Sequence, residues 1–159
     1  DLRLIIIGDE LSQHPDLRRT VIRSGVQNEV RFLGFVPTEV LRIFYDLAKI
    51  FVFPSLYEGF GLPPLEAMAH GTPVVTSNTS SLPDVVDGAA VLVNPENVFE
   101  IMHALHRALL DQPLRERLKA RGYEQVERFS WQASVTRLMA IYQEAAQTKR
   151  QAISDKPKR

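Results

Sequence analysis

The sequence predicts an α/β fold in which helices cover both faces of a parallel β-sheet. Short runs of β-branched and aromatic residues alternate with longer stretches of helical spacing, a pattern typical of βαβ units. The short runs are closer to continuously apolar than to alternating, as expected for strands that are buried on both faces. With 159 residues, 45% of them hydrophobic, the chain is long enough to bury a substantial core.

The apolar runs place five strands in the first two thirds of the chain. They are predicted at Leu2–Ile7, Val30–Leu33, Ile50–Phe53, Val74–Thr76 and Ala90–Val93. Crossover helices are predicted between them at Pro15–Ser24, Thr38–Ala48, Pro63–Ala69 and Leu82–Val86. Thr38 follows a proline and is predicted to be an N-cap, while Gly25 and Gly71 stand where helices are expected to end.

The last third of the chain is predicted to be helical. Residues 96–147 have helical spacing, with breaks near Pro113 and Ser130. Apolar residues four, three and four positions apart predict one helix face against the sheet: Val98, Met102, Leu105 and Leu109. Ser130 is placed to cap the last helix, and Trp131 is predicted to anchor in the core. The basic segment 149–159 is predicted to be frayed or disordered.

The composition excludes several classes of function. The 19 Lys and Arg residues balance the 19 Asp and Glu residues, which argues against a nucleic-acid-binding protein. The absence of cysteine excludes disulfides, thiolate catalysis and Cys-ligated zinc. No apolar run approaches the ~20 residues that cross a bilayer. We therefore expect a cytoplasmic protein with at most a peripheral contact at the inner membrane surface.

One motif after the third strand stands out as a candidate binding site. Ligands of open α/β sheets bind beyond the carboxyl ends of the strands, where this chain has Glu58-Gly59-Phe60-Gly61-Leu62-Pro63-Pro64-Leu65-Glu66. The glycines allow close backbone approach, and the prolines start a helix without supplying N–H groups. The free donors are therefore expected to be the amides from Gly59 to Leu62. They predict a phosphate or diphosphate at the helix N-terminus.

The two glutamates of the motif indicate a hydroxyl-rich ligand. A carboxylate beside a phosphate would repel it, so Glu58 and Glu66 are expected to accept hydrogen bonds from neutral hydroxyls. This predicts sugar and ribose hydroxyls near the two glutamates. In the alternative interpretation, Glu66 complements the helix dipole in the first turn and Glu58 is a solvated loop residue.

Several other polar residues are candidates for a functional role. The hydroxyl-rich segment Ser77–Ser81 either contacts the ligand or supplies a capping pair, Ser81 with Asp84. His70 is interpreted as a residue at the negative end of a helix. His103 and His106 are interpreted as surface or packing residues, because no carboxylate cluster accompanies them.

Residues 53–75, together with Val30–Pro37, resemble the donor-binding domain of retaining glycosyltransferases of the GT-B fold, family 4. The spacing of Glu58 and Glu66 is similar to the E-x7-E motif of that family, and the similarity runs from Leu2 to about Tyr142. The resemblance implies a Rossmann-like doubly wound parallel sheet, one half of a GT-B fold. It also implies a nucleotide-sugar donor and no metal requirement.

The resemblance implies roles for individual residues. Glu58, the expected catalytic residue, would contact hydroxyls of the donor sugar, and Glu66 would hold the ribose. Backbone amides of Gly59, Phe60, Gly61 and Leu62 would bind sugar and phosphate. The turn Gly34-Phe35-Val36 would hold the base, and Gly8, at the end of the first strand, is assigned to donor binding. The Arg and Lys that neutralise the diphosphate are expected upstream of Leu2.

The implied reaction moves a hexose of mannose or glucose type to an acceptor hydroxyl with retention of configuration. A front-face route is favoured over double displacement, because Glu66 is assigned to the ribose. Residues 1–148 would form the donor-binding domain, without its first βα unit. The acceptor, a glycan or lipid, would bind an N-terminal domain that the chain lacks, so the chain alone is expected to be inactive. The alternatives are a non-catalytic nucleotide-binding module and a protein-binding scaffold.

Overall fold

The computed structural model describes residues 2–8 and 15–154, which fall into two compact units, Asp1–Ala48 and Lys49–Arg159. In the first unit, two βα pairs follow each other along the chain: β1 (Leu4–Ile7), α1 (Pro15–Arg23), β2 (Val30–Gly34) and α2 (Thr38–Leu47). The strands are parallel, with Leu4 opposite Val30 and Ile6 opposite Phe32. The alternation predicted from the apolar runs is confirmed in this unit.

The second unit holds a three-stranded parallel sheet followed by three long helices. Its elements are β3 (Phe51–Phe53), α3 (Leu62–Ala69), β4 (Val74–Ser77), α4 (Leu82–Val86), β5 (Ala90–Val93), α5 (Val98–Leu110), α6 (Gln112–Glu127) and α7 (Trp131–Ser154). The strand order is β3-β4-β5, with Val75 between Val52 and Val91. All four residues of the central strand β4 are buried, as expected for a strand covered on both faces.

Most of the helix ends follow the predicted signals. Gly25 and Gly71 adopt the left-handed φ values of +70° and +69° that end a helix. Ser130 caps α7, accepting a hydrogen bond from the Ala133 amide at 3.3 Å. The predicted N-cap at Thr38 is wrong: Pro37 holds that position, and its carbonyl accepts from the amides of Val40 and Leu41. The extended backbone of proline is compatible with this position, so the threonine lies inside the helix.

The buried face of α5 differs from the predicted stripe. Val98 is 73% exposed and Met102 is 49% exposed, whereas Ala104 and Ala108 pack against Val75 and Val93 of the sheet, flanked by Ile101 and Leu105. Alanines four residues apart allow the helix axis to come close to the sheet, and this rotates the larger residues Val98 and Met102 away. The prediction followed the spacing of the large apolar side chains, whereas the residues of α5 that pack in the core are the small Ala104 and Ala108.

Helix α7 corrects two further predictions. Trp131 is 80% exposed and is therefore not a core anchor, and the side chains of residues 131–148 are all exposed. The helix continues to Ser154, into the segment predicted to be disordered, because this stretch contains no glycine or proline to end it. The remaining residues, 155–159, lie outside the described part of the chain.

None of the helices in the described ranges has the length and apolar character that a membrane span requires.

A buried amide ties α6 to α4, and its loss is expected to destabilise the protein. Gln125 is 5% exposed, and its Nε2 donates to the Val85 carbonyl at 2.7 Å. Gln125→Ala leaves that carbonyl without its partner, which should lower the free energy of unfolding by about 1–2 kcal/mol. Urea denaturation measures the change. Gln143→Ala, an exposed residue of α7, is the control and should change it by less than about 0.5 kcal/mol. Equal effects of the two substitutions would contradict the role given to Gln125.

Candidate functional site

The loop between β3 and α3 is shaped by a glycine that no other residue can replace without strain. Gly61 is the N-cap residue of α3, with φ 107° and ψ 50° in the left-handed region. A Cβ built on Gly61 would lie 2.7 Å from Cδ2 of Leu82, the first residue of α4, and Leu82 is fully buried. Backbone conformation and lack of space therefore both require glycine here.

Backbone donors collect at the N-terminus of α3. Within the described residues, no acceptor is hydrogen-bonded to the amides of Gly59, Phe60, Gly61 or Leu62. The next two positions are Pro63 and Pro64, which have no N–H. The ring of Phe60 packs edge-to-face on Phe129, with centroids 5.6 Å apart, so the residue is anchored through its side chain. The predicted set of four free amides at the start of the helix is thus present, and it is a favourable environment for an anion.

The two predicted glutamates flank these amides in the chain. Glu58 is half-buried, and its carboxylate makes no hydrogen bond or ion pair with the described residues. Glu66 is exposed and lies beyond the first turn of α3, which contains no acidic residue. The alternative in which Glu66 complements the dipole in the first turn therefore does not apply.

The loop after β4 supplies hydroxyl groups that bind the backbone of the motif loop, a role that the sequence did not indicate. Ser80 Oγ accepts a hydrogen bond from the Glu58 amide at 2.9 Å and donates to the Glu58 carbonyl at 2.7 Å. Ser81 Oγ lies 2.8 Å from the Phe60 carbonyl oxygen and 3.0 Å from that of Glu58. Ser81 is the N-cap residue of α4 but makes no side-chain capping bond, so the predicted capping pair with Asp84 is wrong. The signal was a run of hydroxyl residues directly after a strand, at the same sheet edge as the motif.

The other predicted site residues belong to the first unit. The Gly8 amide donates to the Gly34 carbonyl at 3.0 Å, because the carboxyl ends of the parallel strands β1 and β2 lie side by side. Gly34 has φ +68°, Phe35 is 74% exposed and Val36 is half-buried. Asp9 and Glu10, which follow Gly8, lie outside the described residues.

The histidines form no metal centre in the described part of the chain. His70 is the C-cap residue of α3, as its predicted place at the helix end required. His103 and His106 are exposed on α5. No group of three or more His, Asp or Glu side chains could hold a metal ion among residues 2–8 and 15–154.

Comparison with known proteins identifies the family. The family model described as glycosyl transferases group 1 matches residues 1–125, which include both glutamates of the site and Ser80 and Ser81. The chain belongs to the group 1 glycosyl transferases. The O-antigen chain mannosyltransferase B of Escherichia coli is 42% identical over 87% of this chain, and the D-inositol 3-phosphate glycosyltransferase of Corynebacterium diphtheriae is 34% identical over 92%. The matched regions are only 36% and 35% of those two proteins, about a third of their length.

Solved structures of group 1 glycosyl transferases and related enzymes share the fold. The sucrose-phosphate synthase of Thermosynechococcus elongatus is 28% identical, with a TM-score of 0.81 over 92% of this chain and 39% of that one. Anabaena HepE, solved in complex with UDP, has a TM-score of 0.78 over 91% of this chain and 41% of that one. It is 20% identical, so this likeness concerns the fold alone. The predicted Rossmann-like class of a GT-B glycosyltransferase half is confirmed.

Proposed function

We propose that this chain is the donor-binding part of a retaining hexosyltransferase. The enzyme moves a hexose of mannose or glucose type from a nucleoside diphosphate to an acceptor hydroxyl. The observation that carries the proposal is the set of free amides from Gly59 to Leu62, flanked by Glu58 and Glu66. The mannosyltransferase of Escherichia coli, 42% identical to this chain, supports mannose as the first candidate sugar.

The diphosphate is assigned to the amides at the start of α3. Four N–H donors and the positive end of the helix dipole favour a dianion without any side-chain cation. The donors are also fixed by the fold before the ligand arrives, so little reorganisation is needed when negative charge grows on the leaving group. The Arg and Lys expected upstream of Leu2 would add to this stabilisation.

The two carboxylates are assigned to the hydroxyl groups of the donor. Glu58 accepts hydrogen bonds from hydroxyls of the donor sugar, and Glu66 accepts them from the ribose. The turn Gly34-Phe35-Val36, with Gly8 beside Gly34, is assigned to the base and its neighbouring groups. The acceptor, a glycan or lipid, is assigned to another domain of the enzyme.

The proposed reaction is a front-face substitution at the anomeric carbon. The bond from that carbon to the diphosphate oxygen breaks, and the acceptor oxygen bonds to the same face, so the configuration is retained. The acceptor proton passes to an oxygen of the departing diphosphate. Glu58 contributes a negative charge beside the sugar while positive charge develops on it, and the amides stabilise the leaving group. No metal is required by this scheme.

Loss of the ribose contact tests the donor assignment. Glu66→Ala is expected to weaken binding of a nucleoside diphosphate about tenfold, because a charge-assisted hydrogen bond to a hydroxyl is lost. Isothermal calorimetry of the full-length protein with GDP, UDP and ADP measures this. The matched control is Glu124→Ala, an exposed glutamate on α6, which should leave the affinity unchanged.

The outcomes separate this proposal from its alternatives. No binding of any of the three nucleotides would contradict the donor site and favour a protein-binding scaffold. Binding that depends on Glu66, without transfer of sugar from any nucleotide sugar to any acceptor, would favour a non-catalytic nucleotide-binding module.

A further inference from the structure

Three consecutive hydroxyl side chains hold the loop that carries Glu58. Thr79 Oγ1 donates to the Leu56 carbonyl at 3.1 Å, and Ser80 Oγ bonds both the amide and the carbonyl of Glu58. Ser81 Oγ shares its proton between the carbonyls of Phe60 and Glu58. The three side chains thus reach every second residue of the neighbouring loop. We call Thr79, Ser80 and Ser81 the hydroxyl clamp.

The backbone of Ser80 is strained, and the hydrogen bonds of its hydroxyl group compensate for that strain. Ser80 has φ +56°, in the left-handed region that favours glycine, and a residue with a Cβ pays about 1 kcal/mol or more there. Glycine would adopt this conformation without strain but has no hydroxyl. Serine at this position is strained, but its hydroxyl takes part in three hydrogen bonds that glycine could not make. Two of them are to Glu58 and one is from the Ser81 amide at 2.6 Å.

The clamp determines where two of the free amides point. In a trans peptide the C=O and N–H groups point in opposite directions. The Glu58 carbonyl and the Gly59 amide belong to one peptide plane, and the Phe60 carbonyl and the Gly61 amide belong to another. Because the clamp binds both carbonyls, it turns the amides of Gly59 and Gly61 away from the α4 loop. The direction in which the Glu58 side chain leaves the backbone is fixed by the same bonds.

We propose that the hydroxyl clamp is a positioning device of the transfer reaction, which aims the amides of Gly59 and Gly61 and the carboxylate of Glu58 at the donor. This inference rests on the proposed function. The clamp residues are positioning residues, because they act through the backbone of the loop that carries Glu58. Because the amides stabilise charge that grows on the leaving diphosphate, their misalignment reduces kcat more than it raises the KM for the donor.

Paired substitutions at Ser80 and Ser81 test the proposal in the full-length protein. Ser80→Ala and Ser80→Gly both remove the hydroxyl, but only glycine relieves the backbone strain. Both are expected to lower kcat about tenfold, with a KM change of less than about threefold. Ser81→Ala is expected to act in the same direction, and Ser81→Thr, which keeps the hydroxyl, to retain most of the wild-type kcat. The control is Thr136→Ala, which removes an exposed hydroxyl bonded to the Gln132 carbonyl at 2.9 Å in α7.

Hydrogen exchange provides a readout that does not depend on catalysis. The Glu58 amide donates to Ser80 Oγ, so exchange of this amide should be about tenfold faster in both Ser80 variants and unchanged in Thr136→Ala.

The possible results separate the clamp from the proposed function. Wild-type kcat in Ser80→Gly, or equal losses in Ser81→Thr and Ser81→Ala, would overturn the positioning role. Unchanged exchange in the Ser80 variants would overturn the clamp itself. If the wild-type protein transfers no sugar, the proposed function fails and the positioning role fails with it, while the exchange measurement still decides whether the clamp holds the loop.

Discussion

Replacement of Glu58 by glutamine is expected to lower the rate of sugar transfer by about 100-fold or more in the full-length protein. Glutamine has the same length but no charge, and it presents an N–H₂ group where one carboxylate oxygen accepted a hydrogen bond. The half-buried carboxylate has no partner among the described residues, so its charge is available to the sugar. Steady-state kcat with nucleotide sugars is the measurement.

Binding experiments separate a catalytic loss at Glu58 from a folding defect. Glu58 is assigned to the sugar, so Glu58→Gln should bind a nucleoside diphosphate within about threefold of the wild-type affinity, in contrast to Glu66→Ala. Glu124→Gln, on the exposed face of α6, serves as the matched substitution and should keep full turnover. Wild-type turnover in Glu58→Gln would show that the catalytic role assigned to Glu58 is wrong.

Gly61→Ala is expected to lower the free energy of unfolding by about 2–4 kcal/mol. One part of the loss comes from the left-handed backbone, with φ 107°, which disfavours any residue with a Cβ. The other part comes from overpacking, because the added methyl group would lie 2.7 Å from the Leu82 side chain. That side chain is fully buried and cannot move aside into solvent. Chemical denaturation measures the change.

Gly59 provides the matched control for Gly61. It lies two residues earlier in the same loop, its φ is outside the left-handed region, and a Cβ built there meets no atom within 4 Å. Gly59→Ala should therefore change the free energy of unfolding by less than about 1 kcal/mol. Similar stability of the two variants would mean that the loop relaxes around the new methyl group and that Gly61 is not required by the fold.

The strands and the core motif could be predicted because their signals are local. A short run of β-branched residues such as Val74–Thr76 is compatible with few structures other than a strand buried on both faces. In the same way, two glycines followed by two prolines define a turn and a helix start whatever surrounds them. Both predictions depend on residues that are neighbours in the chain.

Two of the incorrect predictions concern contacts between elements. Helical spacing on α5 indicated an apolar face, but the choice between the stripe through Val98 and the one through Ala104 depends on how close the helix lies to the sheet. The exposure of Trp131 depends equally on its surroundings, because an aromatic side chain is buried only where another element covers it. Neither fact is encoded within a window of neighbouring residues.

The sequence by itself determined the alternation of strands and helices, the position of the free amides at the start of α3 and the two carboxylates beside them. Only the tertiary structure decided how that loop is held. Ser80 and Glu58 are 22 positions apart in the chain, and their hydrogen bonds exist because two parallel strands end at the same edge of the sheet. No sequence pattern predicts which group a serine hydroxyl will bind. The partners of Ser80 are therefore determined only by the fold, which brings its hydroxyl to a backbone N–H and C=O.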